Sequence, residues 1–249
     1  MDQDVLIYIT RVFIIFLILP IHEYAHAWAA HKLGDDTAKY QGRLTLNPLA
    51  HVDIVGALLL LFTGFGWAKP VPVNPLNFSR QYNEFVETKS GKQKKVRKGV
   101  SLRGGMAITA AAGPISNLIF AFISMIIFRI ISTISFLNFG FYDLVVSSDM
   151  LINVVIALNW IFYFAAYINI GLAIFNLIPI PPLDGSKILG YFTSAKVDRF
   201  LQDNSRYLSL ILLLLICTNI LSRPLNAIIN GLMDFMVFCT DWIPTLLGA

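Results

Sequence analysis

The sequence predicts an all-α polytopic membrane protein with about four transmembrane helices, and three observations carry that prediction. Of 249 residues, 56% are hydrophobic and only 14% are charged, where a soluble domain carries about a quarter. The mean hydropathy is +0.67. The apolar residues also gather into runs that match the ~20 residues needed to cross a bilayer.

The first run extends from about Val5 to Ala30. It follows the acidic lead "MDQDVLIYIT". A secretory signal has a basic lead and a small-residue cleavage site, so this run is read as retained. The second run, about Met106 to Ile131, is "MAITAAAGPISNLIFAFISMIIFRII". The third runs from about Met150 to Ile178. The fourth, "YLSLILLLLICTNIL" from Tyr207 to Leu221, is short but intensely apolar. The last, about Leu225 to Leu247, holds Asp234 and Asp241 and reads as an interfacial helix or a fifth span. Cys217 and Cys239 imply no disulfide framework, and no internal repeat is evident.

One apolar piece breaks the pattern. Residues 54–78, "IVGALLLLFTGFGWAKPVPVNPLNF", are too short in their apolar core to cross and are interrupted by glycines and alternating prolines. Non-helical backbone at membrane depth must be buried in protein or line a wet cavity. The piece is expected to be a re-entrant extended or β loop packed against the helices. An ordinary interfacial loop is the other reading.

Between Lys69 and Arg103 lie Arg80, Lys89, Lys92, Lys94, Lys95, Arg97 and Lys98, against Glu84 and Glu87. The stretch from about Ser132 to Asp149 holds Asp143 and Asp149 and no basic residue. The positive-inside rule places the first loop, residues 79–104, in the cytoplasm and the second outside. Spans one and three then run inward. The basic cluster reads as a solvated loop or one resting on anionic lipid. Without aromatic interleaving, nucleic acid is not its expected partner.

The chemistry sits in "FLILPIHEYAHAWAAHKLG", residues 16–34. Residues four apart share one face of a helix, so His22 and His26 offer two imidazoles to one point. Zinc takes such nitrogens at ~2.0–2.1 Å, and a catalytic site pairs three protein ligands with a water. Glu23 is placed to take a proton from that water, the HExxH arrangement of zinc peptidases. A pair of packed histidines is the bland alternative. Inside a span, however, ionisable groups are costly and mark function.

A third ligand is needed. The positions that carry Gly and His in one peptidase class hold Ala29 and Lys32, and the remaining glutamates, Glu84 and Glu87, lie in the basic loop. An aspartate is left. Asp35 and Asp36 read as solvated residues just past the helix, and Asp53 in "NPLAHVD" is possible. Asp184 in "FNLIPIPPLDGSKIL" is the better choice, because it closes the third span after a proline-broken helix end. His22 lies about 17 residues, or ~25 Å, into an inward-running helix. Asp184 stands at the inner end of another, so the two meet at similar depth. Asn117 and Asn176 fall in the same inner half. There an amide either binds substrate backbone or a developing oxyanion, or joins helices. Gly113 and Pro114 kink the second helix or let it pack closely. His31 and His51 are read as bystanders.

These residues resemble the site-2 protease family of intramembrane zinc metalloproteases. The resemblance rests on "HEYAH", "GPISN" and "NLIPIPPLDG", with "GRLTLNPLAHVD" and "GFGWAKPVPVNP", and covers residues 5 to about 190. It implies one Zn²⁺ held by His22, His26 and Asp184, Glu23 as catalytic acid/base, and a three-helix catalytic core within residues 1–190, followed by C-terminal helices over 191–249. The sequence is similar to the compact branch, without an inserted PDZ-like domain or a cystathionine-β-synthase-type tail. Implied substrates are transmembrane proteins or peptides, such as anti-sigma factors or leftover signal peptides. The implied location is the cell membrane, with the site towards the cytoplasm. The extended piece around Trp67 to Asn77 offers an unwound substrate an edge for strand addition. Two readings from other classes compete: a metal or ion transporter, and a catalytically silent membrane binding protein.

Overall fold

The computed structural model describes residues 11–63, 66–78, 82–87, 93–146 and 150–248. The acidic N-terminal lead, Arg80, Lys89, Lys92 and Asp149 lie outside the described residues. The helices are α1 Leu19–Lys32, α2 Ile54–Thr63, α3 Leu102–Val146, α4 Met150–Asn176, α5 Asp184–Phe192, α6 Ala195–Asp203, α7 Ser205–Cys217, α8 Ser222–Cys239 and α9 Trp242–Leu247. Strands β1, Tyr82–Glu87, and β2, Gln93–Lys98, pair antiparallel from Tyr82 opposite Lys98 to Glu87 opposite Gln93.

This is the expected all-α polytopic membrane protein. Among the described residues, three helical stretches are long and apolar enough to cross a bilayer: residues 11–32, 102–138 and 150–176. A fourth is reached only when α6 and α7, bent by 71°, are taken as one span. The chain divides into two compact units, Met1–Pro114 with Leu177–Leu212, and Ile115–Asn176 with Leu213–Ala249.

In the first unit, α1 begins from a π-helical turn, Ile14–Ile18, whose last bond runs from Leu19 N–H to the Ile14 carbonyl. Pro20 follows at once and has no N–H to give, so the wider turn precedes the position where the ladder loses a donor. The 54–78 piece is an apolar helix, α2, followed by an extended return. Asp53 Oδ1 accepts from Gly56 N–H at 2.9 Å and caps the start of α2. The return is pinned by a bridge between Val52 and Ala68 and by Lys69 N–H to the His51 carbonyl at 2.8 Å. A Cβ on Gly66 would fall onto the Gly56 carbonyl and stand 2.6 Å from Leu60 Cβ. Only a residue without a side chain allows that approach.

In the second unit, α8 packs along α4. Ala121, Met125, Ala166, Ile170, Ile229 and Met233 form the buried core. Lipid is as apolar as leucine, so burial from lipid gains little, and close backbone approach over small residues matters more. Ala121 and Ala166, both fully buried, permit it. Arg129 Nη2 reaches Asp241 Oδ1 at 2.6 Å and ties α3 to the turn before α9.

One boundary differs from the sequence expectation. The second span was expected to end near Ile131, yet α3 continues to Val146. Its polar residues satisfy themselves within the helix: Thr133 donates to the Arg129 carbonyl at 2.8 Å, Ser135 to Ile131 at 2.6 Å and Asn138 to Ile134 at 2.7 Å. Such back-bonding lets hydroxyls and amides ride in an apolar helix. The basic loop contains the β1–β2 hairpin.

Candidate metal centre

Helix α1 puts His22 and His26 one turn apart, and both are buried at 4% and 8% exposure. Their Nε2 atoms stand 3.0 Å apart. The two turns between α4 and α5 return the chain so that Asp184, the first residue of α5 and 6% exposed, faces them. Its Oδ2 lies 3.4 Å from His22 Nε2 and 3.1 Å from His26 Nε2. Among the described residues, these three form the group of His, Cys, Asp or Glu side chains whose donor atoms converge enough to hold a metal.

The donor set suits zinc. Ligand atoms held tetrahedrally at ~2.0–2.1 Å stand roughly 3.3 Å from one another, close to the three separations found here. The partner of His26 also fits. Its Nδ1 lies 2.7 Å from the buried Thr109 carbonyl, which can only accept. Nδ1 therefore carries the proton and Nε2 presents its lone pair, the arrangement that orients metal-ligating histidines. Gly113, one turn beyond Thr109 on α3, leaves room for the rings. A Cβ there would stand 2.6 Å from His22 Cε1 and closer still to His26.

Glu23 is half-buried beside the cluster. Its Oε2 accepts the Val71 N–H at 3.1 Å, from the extended return after α2. Pro70 and Pro72 flank that residue and have no N–H to offer. Arg43, 5% exposed, donates to the Lys69 carbonyl at 2.5 Å. Burial pushes its guanidinium below the ordinary value, and the charge of Glu23 works the other way.

Asp184 carries a second contact: Oδ1 lies 3.2 Å from Lys187 Nζ.

Asp35 corrects the sequence reading. It was expected to be solvated, but it is fully buried. It accepts from Thr37 N–H at 3.1 Å, Thr37 Oγ1 at 2.5 Å, Asn77 Nδ2 at 2.8 Å and Asn74 N–H at 2.7 Å. The carboxylate thus ties the end of α1 to the end of the extended return, on whose Val71 Glu23 depends. Burial would raise its pKa, but the bonds from Thr37, Asn77 and Asn74 lower it. A depressed folded value means that the stabilisation is present above the ordinary carboxylate range and lost as pH falls through the folded value. Asp35→Asn, which turns an acceptor into a donor facing other donors, is expected to cost about 1–3 kcal/mol, read as a fall in the thermal midpoint of the detergent-solubilised protein.

The other candidates are placed elsewhere. Asp53 is occupied as the cap of α2. His31 Nδ1 lies 2.5 Å from Asp36 Oδ1 at the end of α1, and the buried His51 holds the Thr45 carbonyl through Nε2 at 2.8 Å. Asn117 and Asn176 belong to the second unit. Asn117 is fully buried on α3, and Asn176 Nδ2 donates to the Leu172 carbonyl of its own helix at 2.9 Å. Thr109, Val71 and Lys187 were not foreseen. Two act through the backbone, which sequence does not display, and a lysine three residues from an aspartate is too common to signal anything.

The profile of peptidase family M50 matches residues 85–218, a stretch that contains Asp184 and begins after the paired histidines. A Bacillus subtilis (strain 168) protein named "Putative zinc metalloprotease YwhC" is 37% identical over 218 residues, covering 86% of this chain and 83% of its own. No solved structure matches. The resemblance read from the motifs is thus met by the comparisons: the chain belongs to peptidase family M50 and is a multi-pass, zinc-dependent membrane protease.

Proposed function

We propose that the chain is a site-2-type intramembrane protease that hydrolyses peptide bonds within or beside the transmembrane segments of membrane proteins, as a step of regulated intramembrane proteolysis. The observation that carries this reading is the convergence of Asp184 on His22 and His26, beside Glu23, in the C-terminal half of an apolar helix long enough to span a bilayer. A soluble substrate would not require the costly placement of ionisable groups there.

His22, His26 and Asp184 hold one zinc ion per chain, and the other residues act around it. Bound zinc supplies Lewis acidity towards a scissile carbonyl and acidifies a water. Glu23 accepts a proton from water and passes it to the leaving nitrogen. Val71 N–H keeps the Glu23 carboxylate aimed, and Thr109 keeps the His26 ring in the ligating tautomer. Asn117 and Asn176 bind substrate backbone. The extended return after α2 accepts an unwound substrate by strand addition. The catalytic core occupies residues 1–190, with 191–249 as C-terminal helices. The excess of basic residues before α3 supports a site facing the cytoplasm in the cell membrane.

The test is reconstitution in lipid vesicles with a single-span substrate, followed by mass spectrometry of the fragments. New termini are expected inside or at the edge of the span. Cleavage is expected to stop with a zinc chelator and return with added zinc. Cleavage that survives chelation, or falls only in soluble regions, would end the reading.

A further inference from the structure

We propose that Lys187 is a positioning residue that makes Asp184 a one-oxygen ligand and so keeps a coordination position open. The inference rests on the metal reading above. A carboxylate can grip a cation with one oxygen or both. In a catalytic zinc site the difference matters, because the position beside the three protein ligands must stay free for water and substrate. The two oxygens of Asp184 are divided. Oδ2 faces the imidazoles, at 3.4 and 3.1 Å from the two Nε2 atoms, and Oδ1 faces Lys187 Nζ at 3.2 Å. An ammonium on Oδ1 occupies the lone pairs that a second metal bond would use.

An ordinary lysine–aspartate pair three residues apart is worth little at a surface. This pair differs in two ways. The carboxylate side chain is only 9% exposed, whereas the lysine side chain is 44% exposed, so the ammonium keeps much of its hydration while its partner is held in the interior. Lys187 also lines a cavity of about 310 Å³, together with Met106, Tyr191, Asp198 and Gln202. Asp198 is already engaged by Arg103 at 3.2 Å, so the cavity holds an anion that pairs with arginine and leaves Lys187 to Asp184. Charged hydrogen bonds of this kind are directional, and partners behind metal ligands orient them.

The test is the visible spectrum of the full-length, detergent-solubilised protein loaded with Co²⁺ alone, because cobalt absorption reports coordination geometry. The unaltered protein and Lys187→Arg are expected to share the intense band of a four-coordinate ion. Lys187→Met and Lys187→Ala are expected to bind one ion per chain and lose most of that intensity, as the freed Oδ1 adds a fifth bond. An unchanged band in both of these variants would overturn the role of Lys187 and leave the metal reading standing. If the unaltered protein took up no cobalt, the metal reading and the inference built on it would fall together.

Discussion

Glu23→Gln is expected to leave a protein that keeps its zinc and cleaves nothing measurable. Glutamine matches glutamate in shape, and its carbonyl oxygen can still accept the Val71 N–H that Oε2 receives at 3.1 Å. The local fold therefore has no reason to change. What disappears is the capacity to take a proton, and a positioned acid/base is worth about 10²–10⁴ in rate. Zinc content, by elemental analysis, should remain at one ion per chain, because Glu23 is not among the three converging donors. Cleavage of a reconstituted single-span substrate should fall by at least the lower figure. An ion carrier would behave differently, since transport of metal does not need this carboxylate as a base. Retained cleavage would remove Glu23 from the chemistry, and loss of zinc together with cleavage would recast it as a structural support of the site.

The apolar spans were legible because membrane insertion imposes a length and a composition that few other constraints mimic. The meeting of His22, His26 and Asp184 was legible for a related reason: in so few charged residues, those at span ends stand out. What could not be read was the set of contacts between distant segments. Asp35 looks like any acid after a helix, and its donors Asn74 and Asn77 lie about 40 residues away. On sequence alone Asp53 was a possible ligand, and Asp184 the better choice. Only the fold shows the first spent on Gly56 N–H and the second facing the imidazoles. The far end of α3 was missed because Thr133, Ser135 and Asn138 look like loop residues until their side chains are seen bonding within the helix. The support for Glu23 and His26 comes from backbone groups of Val71 and Thr109, whose identity no side-chain motif records.

Gly113→Ala is expected to cost the protein its zinc through a single added methyl group. In an ordinary helix the substitution stabilises, since alanine is preferred over glycine by about 0.8–1 kcal/mol. Gly231 on α8 provides that ordinary case: a Cβ there meets nothing within 4 Å. Gly231→Ala should hold or raise the thermal midpoint and leave zinc and cleavage unchanged. At Gly113 the same atom would sit 2.6 Å from His22 Cε1 and nearer still to His26, where real carbon contacts need well over 3 Å. The rings cannot give way independently. His26 is tethered to the Thr109 carbonyl at 2.7 Å, and both Nε2 atoms must stay near Asp184. Relief therefore comes by rotating an imidazole out of the donor triangle, which breaks the geometry a tetrahedral ion needs. Bound zinc should drop well below one per chain, and cleavage should be lost with it, while circular dichroism continues to report the helical fold. If Gly113→Ala instead behaved like Gly231→Ala, with full zinc and full activity, the close seating of α3 against the paired histidines would be wrong, and the fit of the site to zinc would lose its tightest steric support.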